Sequence, residues 1–325
     1  LAALVYVQLD SWIVSRKGLR LSNIRRILAG AGEESDPFAH LPEDGPCIAI
    51  LVTNKAKDVE ELKRALRSLK FLQGDSGETP APVLIFNEGN LSNEQKKAIG
   101  DTTHRTVAFP EVNFNSFPEG FNPDSEEVKF HVKGRSDWGY YHMIRFWVST
   151  IWKHPILERF STVMRIDSDS CFTAENSFLP HFKHPNMVYH SQYVGYEDGK
   201  EFVTGLFDFA EEWMEEEGLY PSNPMLWQFA KNLWETESTL PLFNTNFEVT
   251  RKAWMQHPGV TKWHNALTDS APFGIYKYRW GDAVMRFMTA AMFSPNYRID
   301  TSAPEGYAHK LGCSEAAASA PGKTV

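Results

Sequence analysis

Cysteine is scarce: Cys47, Cys171 and Cys313 are the only thiols in 325 residues, an odd count with no Cys-x-x-Cys pair. That excludes a zinc ribbon and a disulfide-dense scaffold and leaves room for one bridge at most. No apolar run reaches the roughly 18 residues that a membrane-spanning helix requires. Basic charge is also short. Thirty-three Lys plus Arg against 41 Asp plus Glu give a net charge of −8, which removes the electrostatic case for broad nucleic-acid binding. The fingerprints G-x-x-x-x-G-K-[ST], G-x-G-x-x-G, H-E-x-x-H and G-x-S-x-G are missing, so NTPase, dinucleotide, zincin and serine-hydrolase readings each lack their mechanical part. An acidic chain of this kind receives an anionic ligand through a local device such as a metal ion.

Apolar material is plentiful. With 42% hydrophobic and 13% aromatic residues the chain can bury a sizeable core. Residues 1–46 combine an apolar start, a basic stretch and a Pro-rich turn, and read as a stem or N-terminal extension. Cys47 to Thr53 is a short continuous apolar run of the kind a buried parallel strand shows, and Asp58 to Lys70 has helical periodicity. A second strand is expected over Pro82 to Asn87, then a helix from Ser92 to Ile99 capped by Ser92. This alternation predicts a βαβ unit and an α/β fold.

Val107 to Arg135 reads as loop, Trp138 to Lys153 as one helix, and Thr162 to Asp167 as a strand. The second half predicts a strand over Met187 to Val194, helices over Leu206 to Glu217, Met225 to Trp234 and Asp282 to Met292, and a strand at Phe247 to Thr250. Residues 314–325 read as a flexible tail. Asn90-Leu91-Ser92 is a glycosylation sequon, relevant if the chain enters the secretory pathway.

The sharpest chemical feature is Asp167-Ser168-Asp169 at the end of an apolar strand. Ligand groups of open α/β sheets collect at such carboxyl ends. Two carboxylates two residues apart can hold a divalent cation and leave positions open for phosphate oxygens, as cleavage of a nucleotide sugar requires. Bland readings stand beside this one. Trp147 and Trp152 read as core packing, Asp282 suffices as a helix N-cap, Glu248 as a strand-end charge, and Arg279 as the partner of a neighbouring carboxylate. His309 taken alone reads as an ordinary surface or core histidine, and the run Glu211, Glu212, Glu215 to Glu217 as a solvated helix face.

Six ordered motifs then carry a resemblance: Tyr-Tyr-His-Met-Ile-Arg-Phe at 140–146, Lys-His-Pro-Ile-Leu at 153–157, Arg-Ile-Asp-Ser-Asp at 165–169, Asn-Phe-Glu at 246–248, Tyr-Arg-Trp-Gly-Asp-Ala at 278–283 and Gly-Tyr-Ala-His at 306–309. Together they resemble the fungal α-1,2-mannosyltransferases of the Kre2/Mnt1 type, glycosyltransferase family 15. The resemblance runs from about residue 46 to 313. It implies a GT-A-like nucleotide-sugar-binding fold with a central mixed sheet flanked by helices, in a single catalytic domain over residues 47–313. It also implies Mn²⁺, a GDP-mannose donor, a glycan or glycoprotein acceptor, and transfer with retention of configuration. The location it implies is the Golgi lumen, as a type II membrane protein whose anchor lies outside this chain.

Carried over by motif, the resemblance makes Asp167, Asp169 and His309 the metal ligands, with Asp167 standing where the family usually has the Glu of an E-P-D triplet. Glu248 matches the carboxylate near the anomeric carbon, Asp282 an acidic residue on the acceptor side, and Tyr140 a tyrosine that reaches the donor phosphates. Thr53, Asn54, Arg145, Arg165 and Asp169 fall on donor-binding motifs. Retention demands a carboxylate nucleophile or front-face attack within an ion pair, and Glu248 is the candidate for the former. Cys313 fits a family cysteine position, with Cys47 or Cys171 as its partner. A second reading, from another class, is a carbohydrate-binding or scaffold protein that keeps the fold without transfer, and a further alternative is a transferase using another nucleotide sugar.

Overall fold

The computed structural model describes residues 38, 44–72, 80–125, 128, 138–175, 186–310 and 312–313. Every element below belongs to the unit that begins at Pro42. The expected stem falls almost wholly outside the described residues, and so does the expected tail.

Eleven strands are described: β1 (Gly45–Leu51), β2 (Val83–Phe86), β3 (Val107–Ala108), β4 (Phe160–Ile166), β5 (Ser170–Phe172), β6 (Tyr189–Ser191), β7 (Val194–Tyr196), β8 (Pro241–Phe243), β9 (Phe247–Arg251), β10 (Ile299–Asp300) and β11 (Tyr307–His309). Seven of them form one sheet in the order β10-β6-β9-β4-β1-β2-β3. β1 runs parallel to β2 and β4, whereas β9 runs antiparallel to both β4 and β6. The sheet is therefore mixed, as expected. Ile48, Ile50, Val83, Ile85, Met164 and Val249 are fully buried, the pattern of central strands covered on both faces.

The helices are α1 (Ala56–Ser68), α2 (Asn93–Gly100), α3 (Trp138–Val148), α4 (Leu206–Glu216), α5 (Pro224–Glu237), α6 (Lys252–Met255), α7 (Pro258–Asp269), α8 (Gly274–Tyr278) and α9 (Asp282–Phe293). α1 turns Val59, Leu62 and Leu66 to the core at helical spacing. α2 starts at the predicted cap, where Ser92 and Gln95 exchange a reciprocal capping box. The acidic residues of α4 are solvated or surface-paired, as with Glu211 to Lys231.

Three elements differ from the sequence reading. The helix expected through Lys153 stops at Val148, where Ser149 leaves helical geometry (φ −125°, ψ −57°) and 3₁₀ turns follow at Thr150–Lys153 and Pro155–Arg159. The strand expected over Met187 to Val194 is two pieces. β6 ends at Ser191 because its partner β9 begins only at Phe247, and β7 pairs instead with β8 in a separate ribbon. Inside the expected loop, β3 adds a short edge strand beside Val83 and Leu84.

Three histidines are buried, His142, His190 and His264, and burial keeps the first and last of them neutral. His142, buried against Tyr276 with Nδ1 3.0 Å from its hydroxyl, is pushed down to about 4 by desolvation and then by the charge of Arg145. His264 is pushed well below its ordinary value by the same burial. An unfolded chain takes up protons near 6.5 while these imidazoles stay neutral in the fold, so their contribution is complete above that pH and is lost as pH falls toward 4. The melting temperature is expected to fall across that window, and a flat profile would contradict the assignment.

Candidate functional site

The parallel strands β1, β2 and β4 bring their carboxyl ends to one edge of the sheet, and antiparallel β9 starts at that same edge. Asp167 follows β4 directly, and its backbone N–H donates to the Asn246 carbonyl (3.1 Å), one residue before β9. Ser170 N–H donates to the Asp167 carbonyl (3.0 Å), which tightens the Asp-Ser-Asp turn and aims both carboxylates the same way. β5 then leads away and pairs antiparallel with β11, placing Ser170 opposite His309. The Cys171–Cys313 disulfide ties these two strands together across 142 residues of chain. It resolves the choice of partner for Cys313 and leaves Cys47 as a buried free thiol.

Asp167, Asp169 and His309 thus converge, with one ligand atom from each lying within 4.8 Å of the others. His309 Nε2 is 3.0 Å from Asp169 Oδ1 and 4.0 Å from Asp167 Oδ2. All three side chains keep a quarter to a third of their surface in contact with solvent. Desolvation, with the neighbouring Asp282 and Asp169 charges, raises Asp167 above the usual carboxylate range despite Arg165 beside it. Asp169 lies below that range, because the His309 hydrogen bond and the charges of His309 and Lys310 outweigh its desolvation. Hard carboxylate oxygens with one imidazole, open to solvent, fit a divalent cation such as Mn²⁺ and not a closed structural zinc site.

Behind this cluster sits a buried array of charge. Arg165 on β4 pairs in register with Glu248 on β9. Its Nη1 donates to Asp282 Oδ2 (2.5 Å) and lies 3.8 Å from Glu248 Oε1, its Nη2 is 3.3 Å from Asp167 Oδ1, and its guanidinium stacks 4.3 Å from the Trp147 ring. Arg286, one helical turn beyond Asp282 on the same face of α9, holds both oxygens of Glu248 at 2.9 and 3.2 Å. Its Nη2 also donates to the Trp147 carbonyl (3.1 Å). Arg165 and its hydrogen bonds, together with Thr245, overcome burial to hold Asp282 below the ordinary carboxylate range.

Several sequence expectations change here. Asp282 is not the cap of α9. Gly281 occupies that position, and the Asp282 carboxylate goes to Arg165 and Thr245 (3.0 Å) instead. Glu248 is no strand-end surface charge, since its side chain is only 2% exposed. Trp147 and Trp152 do pack in the core. Arg145 engages Asp269 and the Ser116 carbonyl, not the acidic cluster. Thr53 and Asn54 are exposed just past β1, with Thr53 Oγ1 donating to Asp58. Tyr140 accepts from Arg279 Nη2 (3.1 Å). The carboxylate expected to pair with Arg279 is not there, for among the described residues no ion pair includes it.

Sequence reasoning missed Arg286, although a lone cation in the apolar helix Asp282–Phe293 is a signal. It also missed Asn246 and Tyr307 as supports. Asn246 Nδ2 lies 3.1 Å from His309 Nδ1, and the Tyr307 hydroxyl donates to the Asn246 carbonyl (2.7 Å).

A GT-A-like fold is what this mixed sheet and its connections define. Residues 36–319 match the profile of the family described as Glycolipid 2-alpha-mannosyltransferase, and the chain belongs to that family, glycosyltransferase family 15. It is 24% identical over 274 residues to a Glycolipid 2-alpha-mannosyltransferase of Saccharomyces cerevisiae, covering 81% of this chain and 60% of that protein. The chain therefore spans less than two thirds of that relative's length. The fold is similar to core-mannan synthase A (CmsA/Ktr4) from Aspergillus fumigatus in its Mn/GDP form, at TM-score 0.70 and 19% identity, covering 85% of this chain and 81% of that one. It is also similar to the mannosyltransferase Ktr4p from S. cerevisiae in complex with GDP, at TM-score 0.68 and 20% identity, covering 85% and 75%.

Breaking a buried pair leaves an uncompensated charge, whereas replacing both partners does not. Arg286→Met is expected to lower unfolding free energy by about 3–5 kcal/mol in urea titration. Glu248→Met combined with Arg286→Met should recover most of that loss. A single-variant loss under about 1 kcal/mol would contradict the pairing.

Proposed function

We propose that this chain is the catalytic domain, residues 47–313, of a metal-dependent retaining mannosyltransferase that moves mannose from GDP-mannose in α-1,2 linkage to a mannoside or glycoprotein glycan. The observation that carries the reading is the convergence of Asp167, Asp169 and His309 at the carboxyl edge of a GT-A-like sheet, in a chain of this family. The relatives' names, and the GDP and Mn of two similar structures, support the donor and metal.

Asp167, Asp169 and His309 hold the cation, which when bound supplies the positive charge that a leaving diphosphate needs. Arg165 fixes the direction of Asp167 and Asp282 at once, so the metal-side and acceptor-side carboxylates keep a constant separation. Asp282, oriented by Arg165 and Thr245, accepts a hydrogen bond from the acceptor hydroxyl in this reading, which those two contacts support. Glu248 has both oxygens engaged by Arg286, which makes it a poor free nucleophile. That occupancy favours front-face attack within an ion pair, with Glu248 lending negative charge to the site from behind Arg165. Among the described residues no helix is long and apolar enough to cross a membrane. A Golgi-luminal location, the chain being the luminal part of a type II membrane protein, agrees with the Cys171–Cys313 disulfide, which suits an oxidising compartment.

The test is incubation with Mn²⁺ and a panel of GDP- and UDP-sugars, following nucleotide release and transfer to α-methyl mannoside. GDP-mannose should be turned over, and Asp167→Asn or His309→Ala should lower the rate by about two orders of magnitude or more. Folded wild-type protein that turns over no donor would sink the reading, and wild-type rates in both variants would sink the metal assignment.

A further inference from the structure

Of the four arginines in the motifs and charge array described above, three are already spent. Arg145 is bound to Asp269, Arg286 to Glu248, and Arg165 to Asp282, Asp167 and Glu248. Arg279 is the exception. Its Nη2 donates to the Tyr140 hydroxyl (3.1 Å), and its guanidinium carbon lies 3.7 Å from the Phe202 ring and 5.2 Å from the Tyr140 ring. Its Nε and Nη1 have neither solvent nor a hydrogen-bond partner. The residue also adopts a left-handed backbone (φ 63°), which a non-glycine side chain disfavours.

Buried N–H donors of a charged group that are left without acceptors are costly in a native fold. Such a group in a native fold calls for a missing partner. The position suggests which partner. Arg279 stands three residues before Asp282, within about 10 Å of it along the chain, and Asp282 shares Arg165 with the metal ligand Asp167. The Phe202 ring, on the 3₁₀ turn Lys200–Val203, lies over the guanidinium. Gly199 leaves the space that this ring occupies, since a Cβ there would come 2.4 Å from Phe202 Cδ2.

We infer that Arg279 is a receptor for the diphosphate of the donor nucleotide, held ready by Tyr140 and covered by Phe202 until the ligand arrives. The inference rests on the nucleotide-sugar reading above. The flat guanidinium fork presents parallel N–H donors that match phosphate oxygens. Phe202 turns aside as those oxygens reach Nε and Nη1, and the Tyr140 hydroxyl keeps Nη2 in the plane. Tyr140 then serves the phosphates through Arg279, and the donor contact expected of Arg145 falls to Arg279 instead.

The experiment compares the wild-type chain with Arg279→Met and Arg279→Lys, using calorimetric titration with GDP in the presence of Mn²⁺ and thermal melting without nucleotide. Arg279→Met should weaken GDP binding roughly 10- to 100-fold, the range for losing hydrogen bonds to a charged group. It should also leave the nucleotide-free melting temperature unchanged or raised, because two buried, unpartnered N–H donors have been removed. Arg279→Lys should fall between Met and wild type. GDP affinity in Arg279→Met equal to wild type would overturn the inference, as would a drop in its nucleotide-free melting temperature, the mark of a purely structural role. Failure of the wild-type chain to bind either GDP or UDP with Mn²⁺ would instead overturn the nucleotide-sugar reading, and this inference with it.

Discussion

The site depends on one buried guanidinium. Arg165, on the strand that ends in the Asp-Ser-Asp turn, touches Asp167, Asp282 and Glu248, three carboxylates from three separate parts of the chain. Bringing them together without it would place like charges in a low-dielectric interior. Arg286 completes the balance by taking both oxygens of Glu248, and the rings of Trp147 and Trp152 lie against the two guanidiniums. The array is thus a packed layer of alternating charge between the sheet and α9. It locks the Asp282 carboxylate to the Asp-Ser-Asp turn.

A second constraint comes from the backbone on the outer side. β5 and β11 form a two-stranded ribbon that returns the chain to the turn after Asp167, and the Cys171–Cys313 bridge closes it. His309 therefore meets Asp169 through strand pairing and a covalent link, not through a flexible loop. Tyr307 and Asn246 fasten the same ribbon to the start of β9. Rigid elements on either side are what a preorganised cation site needs.

Much of this was legible in the sequence. The continuous apolar runs before Thr53, Asn87 and Asp167 marked central strands because both faces are covered, and Ser92 announced a helix start. The pairing of Asp167 and Asp169 was local and therefore readable. His309 and Glu248 were not, since their meeting with β4 depends on strand pairings across scores of residues, and only the order of motifs pointed to them. The break at Ser149 and the early end of β6 escaped because each is set by a tertiary partner, not by propensity. Arg279 escaped for the opposite reason: its missing carboxylate is a fact of three-dimensional arrangement. Arg286 stood alone in an apolar helix, and only the fold shows which charge it answers.

The proposed divalent-cation site of Asp167, Asp169 and His309 is open to direct measurement. Electron paramagnetic resonance of Mn²⁺ titrated into the full chain addresses it without any substrate. One Mn²⁺ per chain is predicted, with a single imidazole nitrogen coupling that disappears in His309→Ala and binding that weakens sharply in Asp167→Asn. Equal Mn²⁺ binding in wild type and both variants, or none in the folded wild-type chain, would contradict it.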